Sequence, residues 1–248
     1  MTISIVFTMG RVGSSSVYAA LPQHQSRPRY HVHSLNPQVL ERMAARRRLK
    51  DGKLPRSVRE GLAARARLDE HSGPVKIITL VRSAFERNLS AAFASLRAKL
   101  DAHAVRELVA SEEAVAKFWD SFSESRPFQW FDTEYEDGLG INVYNRSFPA
   151  EGILAFRERN LDILILRSEL PDKVKLQAVG EHVGVSLMHS SGRVNVQSHN
   201  AELKDLYASF VKRVPVDDDV IRMYLDSEYM RNFYPEMVVS GSLFWRDR

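Results

Sequence analysis

The chain has 248 residues and no cysteine, which excludes disulfides, a cysteine nucleophile and thiolate metal ligands. Its 44% hydrophobic and 27% charged residues are the proportions of a soluble globular protein with a substantial core. The formal net charge of +4 is uneven, because ten Lys/Arg and two acids lie between Arg42 and Arg67, leaving the remaining residues near −4.

Residues 1–7 read as a first buried strand; they are too few for a signal-peptide core or a membrane span. A glycine loop follows, and then a helix over 14–21 that Pro22 stops. RYHVHSL (29–35) alternates apolar and polar residues as a second, shorter strand would. Asn36-Pro37 is a helix start, an N-cap residue followed by proline at the first helical position, and Gly52 ends that helix. A second basic helix is expected over 56–71, closed by Ser72-Gly73-Pro74.

VKIITLV (75–81) is a β-branched apolar run of the kind buried in parallel sheets. Phe85, Leu89, Ala92, Phe93, Leu96 and Leu100 then recur with helical spacing. A further helix is expected over 103–123, an irregular aromatic and acidic stretch over 126–140, and a buried strand at DILILR (162–167). The remainder reads as helices near 171–184, 200–213 and 217–233. No linker or repeat divides the chain, so one domain over 1–248 is expected, with helical insertions near 36–72 and 100–160. Strands alternating with helices predict an α/β fold built on a parallel sheet, with its ligand site beyond the carboxyl ends of the strands. The glycine loop, His33, Arg82 and Arg167 all fall at such ends.

FTMGRVGSSSV (7–17) is the most informative stretch. Gly10 and Gly13 let the backbone approach a ligand, Ser14, Ser15 and Ser16 add hydroxyl donors, and Arg11 adds a fixed charge. Amides at a helix start favour an anion, so the loop reads as a phosphate or sulfate pocket. The lysine of a nucleotide-hydrolase loop is missing, since Ser14 directly follows Gly13, and VKIITLV runs into arginine rather than a magnesium-binding acid. In LVRSAFERNLSAAF (80–93), Arg82 closes a strand and Ser90 lies two turns into the next helix, a pair able to take a second phosphate.

Together these two motifs resemble those of sulfotransferases that use 3′-phosphoadenosine-5′-phosphosulfate (PAPS). Arg11-Val12-Gly13-Ser14-Ser15 has the spacing of that family's first loop. Arg82 through Ser90 has the spacing of its second motif, with Ala84 where proline is usual. WFDTE (130–134), LILRSEL (164–170) and YLDSEYMRNFY (224–234) are similar to bacterial sulfotransferase-like proteins associated with capsular polysaccharide synthesis. The resemblance implies a P-loop-like sheet of the sulfotransferase type. It also implies that Arg11, Val12, Gly13, Ser14, Ser15 and Ser16 hold the 5′-phosphosulfate and that Arg82 and Ser90 hold the 3′-phosphate. The implied reaction is sulfuryl transfer to a hydroxyl of a carbohydrate or glycolipid, leaving adenosine 3′,5′-bisphosphate. Arg11 then acts as a catalytic cation.

A hydroxyl acceptor needs a general base, and His33 is the first choice, with His31, Glu134 and Glu136 as alternatives. Arg87 is expected to pair within the fold, Arg193 to be an ordinary loop residue, and Trp130 and Phe131 to pack. The basic segment 42–67 could face an anionic acceptor; it carries no nucleic-acid motif. No metal, nucleic-acid partner or transmembrane segment is expected. A cytoplasmic place is, with the inner membrane face also open. The alternatives are a non-catalytic nucleotide-binding module and a P-loop kinase of small molecules.

Overall fold

The β-branched runs pair into one five-stranded sheet. The strands are β1 (Ile3–Phe7), β2 (Arg29–Val32), β3 (Val75–Val81), β4 (Ile153–Glu158) and β5 (Leu161–Arg167), in the order β2-β1-β3-β5-β4. Four run parallel and β4 is antiparallel to β5. β1, β3 and β5 are buried along nearly their whole length, as strands covered on both faces must be. The computed structural model describes residues 2–22, 28–122, 126–187 and 201–244.

The chain divides into two compact units. The first comprises Met1–Arg82 and Gln129–Val194, the second Ser83–Phe128 and Asn195–Arg248. The first holds the sheet, α1 (Ser14–Ala20), α2 (Pro37–Asp51), α3 (Arg56–Glu70) and α9 (Asp172–Val183). Asn36 caps α2 by accepting from the amides of Gln38 and Val39, and Gly52 ends it at φ +68°, both as the sequence predicts. α3 comes close to the turn after β2, since a Cβ on Gly61 would sit 2.6 Å from Leu40 and 3.1 Å from the Ser34 carbonyl.

The aromatic stretch, expected to be irregular over 126–140, is helical from Arg126 to Leu139. α7 (Arg126–Trp130) runs into a π-helical turn, Phe131–Glu136, and then α8 (Asp137–Leu139). The wide turn brings Tyr135 onto β1 and β3. Its hydroxyl donates to Thr79 Oγ1 at 2.6 Å while Thr79 donates to the Phe7 carbonyl. Trp130 and Tyr135 pack on Phe7, and burial raises the Tyr135 pKa so that the phenol stays protonated.

β4 is the strand sequence reading misses, and it interrupts the helical insertion expected over 100–160. It joins β5 through a two-residue turn whose first residue, Arg159, takes φ +55°, a place where glycine, asparagine or aspartate is the usual signal.

The second unit is helical. It contains α4 (Ala84–Lys99), α5 (Ala102–Ala110), α6 (Glu112–Ser121), α10 (Ala201–Arg213), α11 (Asp218–Leu225), α12 (Glu228–Phe233) and α13 (Pro235–Ser240). Two helices that periodicity alone would run together are each broken at a serine. Ser111 ends α5 and caps α6, accepting from the Ala114 amide, and Ser227 caps α12, accepting from Met230. Phe85 lies against Trp119, Tyr224 and Phe244, and Phe93 against Phe210. Among the described residues no helix is long and apolar enough to cross a membrane.

Candidate functional site

All four parallel strands of the first unit end at one edge, and the polar residues singled out from the sequence gather there. β1 leads into the loop Thr8–Gly13. Gly10 (φ +82°), Arg11 (+64°) and Gly13 (+75°) all take left-handed backbone. For the glycines this is cheap; for Arg11 it costs about 1 kcal/mol. A non-glycine residue held this way is a common mark of a working site.

Gly13 is the N-cap of α1 and supplies no side-chain cap. Its left-handed backbone followed by helical Ser14 turns successive amides toward one point, a concavity suited to an anion. Because α1 is only seven residues long, this local nest matters more than the helix dipole. Arg29, from β2, secures the other end of α1. It donates to the carbonyls of Tyr18 and Leu21 and lies over the Tyr18 ring.

Val12 is buried, so only its backbone can serve a ligand, whereas Arg11 is exposed and Ser15 and Ser16 are half-buried. Ser14 is committed within the protein. Thr8 Oγ1 donates to its oxygen at 3.1 Å, and its own hydroxyl lies 2.9 Å from His31 Nε2. The bond to His31 is not predicted by the sequence alone. It joins residues seventeen apart whose meeting depends on how β1 and β2 pair.

His31 and His33 sit edge to face, 5.3 Å apart, and Tyr18 stacks on His31. Burial, with a smaller push from His33, lowers the His31 pKa to about 4, so its ring is neutral near pH 7 and a weak base. His33 is held differently. Its Nδ1 lies 2.8 Å from the Thr8 carbonyl, which can only accept, so Nδ1 carries the proton. In the neutral ring the basic lone pair is then on Nε2. Gly10 lies beside this ring, with a Cβ there 3.7 Å from His33 Cε1.

Arg82, directly after β3, is half-buried and donates from Nη1 to the Arg11 carbonyl at 3.4 Å. The first unit thus brings together the loop, Arg11, Arg82, His31 and His33. Arg167, the last residue of β5, is buried with its guanidinium over Phe148. The two glutamates named as alternative bases each accept hydrogen bonds within the fold. Buried Glu134 accepts from the amides of Leu35 and Asn36 at 2.8 and 3.0 Å, and exposed Glu136 accepts from Asn142. Trp130 and Phe131 are buried, with the Trp130 indole donating to the His33 carbonyl.

In the second unit, Ser90 is half-buried on α4, and buried Arg87 donates to Asn88, whose amide donates to the Tyr224 hydroxyl. Arg193 lies outside the described residues. Among the described residues no three His, Asp or Glu side chains converge as a metal site requires. No family model matches this chain, and neither does any curated protein or solved structure.

Proposed function

We propose that the chain is a PAPS-dependent sulfotransferase with a P-loop-like sheet, acting on a hydroxyl of a carbohydrate or glycolipid. The observation that carries this is that one glycine loop contains Arg11 and accepts a bond from Arg82. The amide nest at Gly13-Ser14 and the bond from Arg82 to the Arg11 carbonyl put cations from two adjacent strands around the same turn. The sequence resemblance supplies the identity of the ligand, and the loop chemistry fits it: amides, hydroxyls and arginines, with no carboxylate in the loop.

PAPS would supply an activated sulfuryl group. In the protein, Arg11 and the loop amides stabilise charge that grows on a departing phosphate oxygen, which is most of what such transfers require. Arg82 offers a donor fork for a second phosphate. His33 takes the acceptor's proton on Nε2, while the Thr8 carbonyl fixes the ring's tautomer and orientation. Neutral His31 holds Ser14 in place. The experiment is transfer of labelled sulfate from PAPS to a panel of glycans and glycolipids. Transfer that disappears in His33→Ala supports the assignment. PAPS bound but never transferred to any acceptor would mark a non-catalytic nucleotide module, and phosphate transfer from magnesium-ATP a kinase.

A further inference from the structure

The α2–α3 hairpin carries charge that the proposed chemistry does not use. Arg42, Arg46, Lys53 and Arg59 are exposed, and among the described residues none is paired with an acid. The other cations described on α3 are partly offset, Arg56 by Glu60, Arg65 by Asp69 and Arg67 by Glu70. The uncompensated charges therefore run from the outer part of α2 through the connecting turn to the first turn of α3.

The helix α3 packs beside the turn that follows β2, next to the candidate site. Gly61 packs α3 against the Ser34 carbonyl, one residue past His33. Arg65 Nη1 donates to the carbonyls of Leu35 and Gly138, fixing the helix there. Arg56 and Glu60 are near enough that their charges act on His31 in opposite directions.

We propose that the α2–α3 hairpin docks an anionic polysaccharide and that this is the acceptor; the role as acceptor, though not the docking, rests on the sulfotransferase assignment. Three features select that partner. The charge has the wrong sign for a polycationic partner and is too spread out for a single small anion. An interfacial membrane helix needs an outward apolar face, but Val58 and Ala64 of α3 are buried, and Met43 is the one large apolar side chain exposed among the described cations. Single-stranded nucleic acid is held by aromatic stacking, and residues 42–67 contain no aromatic residue.

The test uses the full chain and alginate oligomers, a polyuronate without sulfate. Binding is measured from 50 to 200 mM salt, beside neutral dextran, a single-stranded oligonucleotide of equal charge, and phosphatidylglycerol vesicles. Alginate should bind, dextran should not, and alginate affinity should fall at least ~10-fold across that range as counterions compete. Changing Arg42, Arg46, Lys53 and Arg59 together to glutamine should weaken alginate at least ~10-fold and flatten the salt dependence. The glutamine variant should keep the wild-type melting temperature and the same stabilisation by adenosine 3′,5′-bisphosphate. Equal alginate binding by wild type and variant would overturn the proposal, as would tighter binding of the oligonucleotide or vesicles than of alginate. Alginate binding without any response to the bisphosphate would keep the docking surface and remove the sulfotransferase assignment. Bisphosphate binding without alginate binding would do the reverse.

Discussion

Two polar clusters lie at the carboxyl edge of the same sheet, and they use their polarity in different ways. Around Glu134 each polar group closes a fold contact. The carboxylate clamps the amides of Leu35 and Asn36, and Asn36 both caps α2 and donates to the Thr133 carbonyl. Around the glycine loop the bonds tie the loop to neighbouring strands, Ser14 to His31, Thr8 to His33 and Arg11 to Arg82. Arg11 and both loop glycines are held in left-handed backbone, and His33 is oriented through Nδ1 with its basic lone pair on Nε2. A glutamate near the site is therefore not a base by proximity alone; what matters is whether its oxygens are already spent on backbone.

The sharpest way to break this contrast is at the histidine. His33→Ala should lower turnover about 100-fold or more while leaving bisphosphate affinity nearly intact, measured as separate kcat and binding determinations. Near-normal kcat would return His33 to a structural role. Glu134→Ala should do the opposite. Two buried amides lose a charged acceptor, so stability should fall by about 3 kcal/mol, and any transferase activity of the folded protein should be kept. In a protein of this size that lowers the melting temperature by about 6–12 °C. A large loss of kcat at unchanged stability would place Glu134 in the chemistry.

The histidine bonded to Ser14 gives a smaller effect with a definite sign. His31 titrates near 6.5 when unfolded and at about 4 when folded, so the unfolded chain binds the proton first as pH falls. Its contribution is fully present above about pH 6.5 and is lost progressively toward pH 4; burial of only part of the ring limits it to about 1–2 kcal/mol. His182, also lowered to about 4 by burial, titrates in the same window, so the measurement is the difference between wild type and His31→Gln in denaturant midpoint at pH 7 and pH 4.5. No difference in slope would contradict a neutral, buried His31. The smallest change is Arg11→Gly. It removes the left-handed penalty and should leave stability unchanged or raise it by up to about 1 kcal/mol, while lowering turnover. A clear loss of stability would show that Arg11 serves the fold rather than the ligand.

How much of this could be read in advance follows from how far each signal reaches along the chain. β3, β5, α4 and the Asn36-Pro37 and Gly52 boundaries are local features, set by runs of side chains and cap residues. The loop was legible for the same reason, because glycines and serines state their own backbone needs. The breaks at Ser111 and Ser227 were also local, yet the apolar periodicity continues past both and hides them. The β4 hairpin turns at Arg159 without glycine. The fate of Glu134 depends on amides ninety-nine and ninety-eight residues away, and that of Ser14 on the pairing of β1 with β2; no short window contains either.

The central claim is that the loop and Arg82 together hold a doubly phosphorylated adenosine. Melting curves of the wild type and Arg82→Ala with adenosine 3′,5′-bisphosphate, ADP and magnesium-ATP test it most directly. The bisphosphate should stabilise the wild type most, and Arg82→Ala should need about 10-fold or more of it for the same shift, with its response to ADP little changed. Equal stabilisation by ADP or magnesium-ATP, or an Arg82→Ala variant that responds to the bisphosphate as the wild type does, would contradict it.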